Sequence, residues 1–164
     1  MKTRVLFSII AVVFSTAIFT SCEKEDSVLP LEGDFSGSFV LSDQTFNFHF
    51  RNVEQNGENL YGNFSFSDGS GYSQFGPMSE IDWNHFKIEF FTSPINFKFT
   101  GEVNKKRDYM DGDNVELELS GFVSNCGHWS ATKTSLKFAT ENNLKSAGET
   151  DYERFVKMIQ NNRN

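Results

Sequence analysis

Residues 45–50 read Thr45-Phe46-Asn47-Phe48-His49-Phe50, a strict alternation of ring and polar side chain. A period of two places all three rings on one face of an extended strand and the amide and imidazole on the other. The pattern recurs along the chain. Phe35, Gly37, Phe39 and Leu41 share a face, with Ser36 and Ser38 opposite. Leu60, Gly62, Phe64 and Phe66 mark a third strand, and Tyr72 to Phe75 a short fourth. Ile81 to Phe91 reads as a fifth, with Phe86, Ile88 and Phe90 inward and His85, Lys87 and Glu89 outward. Trp83 is out of phase with that set and predicts a bulge near Asn84. Ile95, Phe97, Phe99, Gly101 and Val103 form a sixth, and Val115, Leu117, Leu119, Gly121 and Val123 a seventh. Trp129 and Ala131, extended to Leu136 and Phe138, form the eighth.

Turn signals separate these runs. Asn56-Gly57, Asp68-Gly69 and Asp111-Gly112 are pairs that tolerate positive φ and predict tight hairpins. Gly76-Pro77 and Pro94 break the chain elsewhere. Eight strands joined by short connections, each with one apolar face, predict an all-β fold. A flat meander would expose two edges, and closure removes both. We therefore expect an eight-stranded antiparallel up-and-down β-barrel over residues 33–140; a two-sheet sandwich would need long crossovers that the spacing does not show.

A loop is expected from Glu141 to Gly148, then a short C-terminal α-helix within residues 141–164. Thr150-Asp151-Tyr152-Glu153 is a capping box. Tyr152, Phe155, Val156 and Ile159 recur at helical spacing, and Lys157 lies four residues after Glu153 as a supporting pair. The apolar stripe is expected to pack on the barrel wall or over one mouth.

The first 21 residues have a different character. Lys2 and Arg4 precede fifteen uncharged residues, Val5 to Phe19. That run is short for a membrane span, which takes about 20 residues, and fits a secretory signal peptide better than an uncleaved anchor helix. Phe19-Thr20-Ser21-Cys22 resembles the lipobox of bacterial lipoproteins, with Phe19 at the usual aliphatic position. The resemblance implies a signal peptide over residues 1–21 and acylation of Cys22. It also implies an acidic tether over residues 22–32. The run Cys22-Glu23-Lys24-Glu25-Asp26 is similar to the export signal of Bacteroidetes lipoproteins, or is a solvated linker. The implied location is the outer membrane, anchored by lipid and facing either the periplasm or the surface.

A second resemblance lies in the barrel. Gly33-Asp34-Phe35-Ser36-Gly37 is similar to the Gly-x-Trp opening of calycins, the lipocalin and avidin group, with Phe35 in the tryptophan position. Gly127-His128-Trp129-Ser130-Ala131-Thr132-Lys133 looks like the closing strands of that group. The resemblance implies a calycin-like barrel whose end is capped by Phe35, Trp129 and Lys133.

All 22 acids but only thirteen of the 15 bases follow Cys22. An acidic surface argues against nucleic acid and against lying on an anionic membrane; a cationic partner or neutral ligand stays open. With Cys22 acylated, Cys126 is a lone thiol; a Cys22–Cys126 disulfide is the rival account. Cys126-Gly127-His128 lacks a second ligand pair and reads as a turn rather than a metal site. His49 and His85 fall on polar faces, and the acids of residues 108–113 do not match a calcium loop. Glu116 and Glu118 share a polar face with no cleft between them. No catalytic residue, metal or cofactor is expected, and the chain reads as a non-catalytic binding module.

Sixteen of the 19 phenylalanines follow Cys22. They either line a cavity for a small apolar ligand or fill the interior, since eight strands enclose a space just wide enough for side chains. Phe48, Phe50, Phe64, Phe66, Phe97 and Phe99 are the candidate lining. With a solid interior, the alternative role is protein interaction, such as protease inhibition or envelope assembly, through residues 70–80 or 105–114.

Overall fold

The computed structural model describes residues 29–135 and 148–161. The signal peptide, Cys22, the tether up to Val28, and Leu136 and Phe138 lie outside the described residues. The described chain forms β1 (Glu32–Leu41), β2 (Gln44–Asn56), β3 (Asn59–Phe66), β4 (Ser73–Phe75), β5 (Glu80–Asp82) and β6 (His85–Thr92). It continues as β7 (Ile95–Val103), β8 (Tyr109–Gly112), β9 (Val115–Leu119), β10 (Phe122–Cys126), β11 (Trp129–Thr134) and α1 (Asp151–Asn161).

These segments make eight wall strands. β8 and β9 both pair with β7 and form one strand interrupted at Asp113-Asn114. β10 pairs with β9 and β11 with β8, so they too are one strand, interrupted at Gly127-His128. β4 and β5 share the fourth position, both paired to β3. β11 returns to β1, Phe39 opposite Trp129 and Phe35 opposite Lys133, and the antiparallel meander is closed.

The alternation decides what faces inward. Phe35, Phe39, Phe46, Phe48, Phe50, Phe64, Phe66, Phe97 and Phe99 are fully or almost fully buried, while His49, Lys87 and Glu89 lie on the outer wall. One end of the barrel carries the turns at residues 42–43, 67–72, 93–94 and 120–121. The other carries those at 57–58, 83–84 and 104–108. Leu31 plugs this second end, fully buried, with its N–H donating to Gln55 Oε1 at 2.9 Å.

Four local expectations are corrected. Trp83 and Asn84 are not a bulge within one strand but the turn joining β5 to β6, with Trp83 at a φ of 58°. Asp111-Gly112 is not a hairpin turn; it lies inside β8, because a Cβ on Gly112 would sit 2.0 Å from the Thr100 carbonyl oxygen and 2.5 Å from Trp129 Nε1. Ser120-Gly121 is a turn rather than strand, at φ of 52° and 80°, and Val123 beyond it is exposed. Lys157 makes its direct ion pair with Glu149 rather than Glu153, which it supports through charge alone.

Candidate functional site

The six candidate lining rings are all fully buried and touch one another. Phe48 and Phe50 have ring centroids 5.0 Å apart, Phe64 and Phe66 5.4 Å, and Phe50 and Phe99 5.2 Å. Phe97 stacks on Phe90 at 5.1 Å, and Phe64 on Phe90 at 4.6 Å. These are the spacings of packed aromatic pairs. Trp129 stands among them, edge-on to Phe99 at 5.1 Å, and its indole N–H donates to the Thr100 carbonyl at 3.2 Å.

The mouth at the 42–43 end is plugged by α1. The capping box forms as its residues dictate: the Thr150 N–H donates to Glu153 Oε2 at 2.9 Å, and the Glu153 N–H to Thr150 Oγ1 at 3.2 Å. Phe155, fully buried, enters a ring of Phe39, Phe46, Phe66 and Phe97 at centroid distances of 5.7, 5.1, 5.4 and 5.4 Å. Ile159 is the other buried helix residue. Polar groups clasp the N-terminal turn. Asp68 Oδ2 accepts the Asp151 N–H at 2.7 Å, and Ser70 Oγ accepts the Tyr152 N–H at 3.1 Å. Tyr152 Oη lies 2.8 and 2.7 Å from the Thr92 and Ser93 carbonyl oxygens. Burial pushes the Tyr152 hydroxyl up to about 12, so it remains a donor at any physiological pH. Burial opposes ionisation of Asp68, but hydrogen bonds from Ser70 and the Asp151 N–H outweigh it and hold its carboxyl below the usual aspartate value.

Of the cap residues, Phe35 and Trp129 are fully buried, whereas Lys133 is exposed and lies along the Gly33 backbone. The buried base at the 83–84 end is Arg107, only 4 % exposed, which donates from Nη2 to the Trp83 carbonyl at 2.7 Å. Sequence reasoning missed it because Lys105-Lys106-Arg107 looks like one solvated charge run. The signal that could have found it is structural: a φ of 58° at Arg107 turns the side chain back beneath the barrel.

The fourth wall position is irregular. β4 makes no ladder with β6, and hydroxyls close the gap. Ser73 Oγ donates to the Phe91 carbonyl at 2.8 Å. Buried Ser79 accepts the Glu89 N–H at 2.9 Å and donates to the Glu89 carbonyl at 3.3 Å. Around this seam the wall exposes Tyr61, Tyr72, Met78 and Phe91, the last at 62 %. Tyr72 Oη donates to Asn63 Oδ1 at 2.8 Å, and Tyr61 lies against Gly76. These apolar groups border residues 70–80, one of the two segments expected to meet a partner.

The histidines stand apart. His49 Nδ1 pairs with Ser36 Oγ at 3.0 Å on the outer wall, His85 Nδ1 lies 3.4 Å from Glu102 Oε1, and His128 is exposed. Among the described residues no three His, Cys, Asp or Glu side chains gather as a metal would need. Cys126 is buried, and desolvation pushes its thiol up to about 12. A thiol so protonated is a poor nucleophile and a poor ligand.

The fold and site define a closed eight-stranded antiparallel barrel, filled with aromatic rings, plugged by its own C-terminal helix and compatible with a calycin-like domain. Comparison with family models, curated proteins and solved structures finds no match to this chain.

Proposed function

We propose that this chain is a lipid-anchored protein of the bacterial outer membrane. Its barrel is a non-catalytic binding module that engages a protein partner through the wall around residues 70–80. The observation that carries the docking face is the exposed set Tyr61, Tyr72, Met78 and Phe91 around the hydroxyl-closed seam. Rings and a methionine are the side chains that interfaces favour at their centres. Glu58 and Asp82 are exposed, while Glu80 is exposed but paired with Lys87 at 3.0 Å, and the chain beyond Cys22 carries 22 acids. The partner this surface fits presents basic residues with aliphatic stems, arginine above all, since its guanidinium also stacks on exposed rings.

The anchor rests on Cys22 at the end of the signal-like run. Cys22→Ala is expected to abolish labelling by radioactive fatty acid. Unchanged labelling would exclude Cys22 as the acceptor. For the docking face, a photo-crosslinking residue at Phe91 should capture a basic envelope protein. Purified, that protein should bind Phe91→Ser and Tyr72→Ser barrels at least about tenfold more weakly, the scale of losing a central interface ring. Equal binding by native and substituted barrels would refute the docking face.

A further inference from the structure

The end of the barrel away from α1 is built around a strained turn. Trp83-Asn84 joins β5 to β6, with Asp82 opposite His85. Trp83 sits at a φ of 58°. In a two-residue hairpin loop glycine or asparagine ordinarily supplies a positive φ, and a bulky residue there is an outlier. The turn is nonetheless pinned. The Val103 N–H donates to the Asn84 carbonyl at 2.8 Å, and Arg107, itself at a φ of 58°, donates to the Trp83 carbonyl at 2.7 Å. The indole so presented is 69 % exposed, while Trp129, the other tryptophan, is buried. Strain that yields an exposed ring gains nothing in packing and points to a contact outside the chain.

The rest of this end says what that contact is. The chain enters the barrel here: Leu29 is exposed and Leu31 buried. Leu29 stands seven residues after Cys22. That length of chain spans at most about 25 Å, so acyl chains on Cys22 would hold this end within that distance of lipid. Lys105 and Lys106 are exposed on the 104–108 loop, and Lys133 is exposed where its N–H donates to the Asp108 carbonyl at 2.7 Å. Arg107, on the same loop, is a buried cation whose Nη1 has no hydrogen-bond partner. Burial is what shifts its pKa, downward, with no carboxylate beside it to oppose the shift. A guanidinium so placed lacks an oxyanion to complete it. Asp82, Asp108 and Glu58 are exposed at this end as well, so its surface carries both signs.

We propose that this end is a membrane seat: Trp83 enters the headgroup layer of the bilayer in which Cys22 is anchored, and Lys105, Lys106 and Arg107 meet lipid phosphate. The proposal rests on the lipoprotein reading and adds to it the face turned to the lipid. Indole rings settle at headgroup level, and guanidinium and ammonium groups pair strongly with phosphate. A zwitterionic phospholipid fits, because its phosphate answers the bases and its ammonium answers Asp82, Asp108 and Glu58. The seat needs little affinity of its own, since the tether keeps lipid at a high effective concentration. It orients the barrel rather than retaining it. The barrel stands on its 83–84 end, α1 points away from the membrane, and the wall around residues 70–80 stays open to a partner.

The test uses the full acylated chain in phosphatidylcholine vesicles with and without a nitroxide on the lipid headgroup. Native emission less that of Trp83→Phe isolates the Trp83 indole. The nitroxide is expected to cut that emission about twofold or more, since an indole at headgroup level lies beside it. Lys105→Glu with Lys106→Glu is expected to restore most of it. An indole moved to the α1 end, in Trp83→Phe with Thr45→Trp, is expected to keep its emission. Equal Trp83 emission in the two kinds of vesicle would overturn the seat, as would equal quenching at the two ends. Quenching undiminished by the two glutamates would overturn the phosphate contact. A chain beginning at Cys22 and coupled there to a maleimide phospholipid separates seat from anchor, because the buried, protonated thiol of Cys126 does not compete. Quenching in the coupled chain without fatty-acid labelling of Cys22 would strike the anchor alone. Labelling without quenching would strike the seat alone.

Discussion

Phe90 and Phe91 are neighbours in sequence with opposite fates. Phe90 is 2 % exposed and Phe91 62 %, since a strand can turn only one of two consecutive side chains inward. The same ring is worth very different amounts on the two faces. Phe64 touches Phe48, Phe50, Phe66, Phe90, Phe97 and Phe99. Phe64→Ala should lower the unfolding free energy by about 3–5 kcal/mol, the lost transfer energy plus the cavity left in a rigid surround. Phe91→Ala should change it by about 0.5 kcal/mol or less. Urea denaturation of the two variants checks both, and equal losses would contradict the inner and outer assignment. This facing was legible in the sequence, because parity along a strand survives any error in its ends. Arg107 was not, because nothing in a run of three bases tells which one turns back under the barrel.

Glycines show where the reading of elements runs out. A glycine in a sequence can mark a turn or a place where two chains press together, and the residue alone does not say which. Gly69 and Gly121 sit at φ of 82° and 80° in turns, with nothing within 4 Å of an added Cβ. Gly112 and Gly101 are inside strands, each 2.0 Å from a carbonyl oxygen of the facing strand on the same measure. Hence Asp111-Gly112 resembles a hairpin and is strand, and Gly121 keeps the period of two and is a turn. The helix was legible because its signals are local: a capping box and an apolar stripe. Its place was legible only as wall or mouth; the choice between them rests on Asp68, Ser70 and the Thr92 carbonyl, which are far from it in sequence. That clasp has a pH signature. Asp68 ionises more readily here than in an unfolded chain, and Glu153 shifts the same way through hydrogen bonds from Thr150. Their contribution to holding α1 is present above the ordinary carboxylate range. It is lost as pH falls through the lowered folded values. Asp151, Arg154, Lys157 and Glu149 face the same turn, with Arg154 bonded to Asp151 and Lys157 to Glu149. Amide exchange at Asp151 should therefore accelerate below about pH 4, relative to amides of β7, beyond the change in intrinsic exchange. For Asp68→Asn the step should be much reduced. A step of native size in Asp68→Asn would remove Asp68 from the clasp.

Among the described residues most rings point inward and most charges outward, with exposed Tyr61, Tyr72, Trp83 and Phe91 and buried Arg107 among the exceptions; a barrel that crosses a bilayer has instead a continuous apolar outer band. No helix among the described residues is long and apolar enough to cross a membrane. An acidic exterior is also repelled by anionic headgroups. On the lipoprotein reading proposed above, the acyl chains on Cys22 are what would attach the chain to its membrane. Burial of each methylene contributes about 0.8 kcal/mol, and more than one chain is needed for stable retention. Such a hold is hydrophobic, so screening does not weaken it, whereas attachment through surface charge fades within a Debye length of roughly 3 Å at 1 M salt. The native chain should therefore stay with the membrane fraction in 1 M sodium chloride, where loss of charge attraction would release a peripheral protein. Enzymatic or mild alkaline removal of ester-linked chains from Cys22 should free a soluble, folded barrel, since among the described residues the wall closes between Leu31 and Thr134. Release of the intact chain by salt alone would show that the exterior, not the first residue, holds the protein to its membrane.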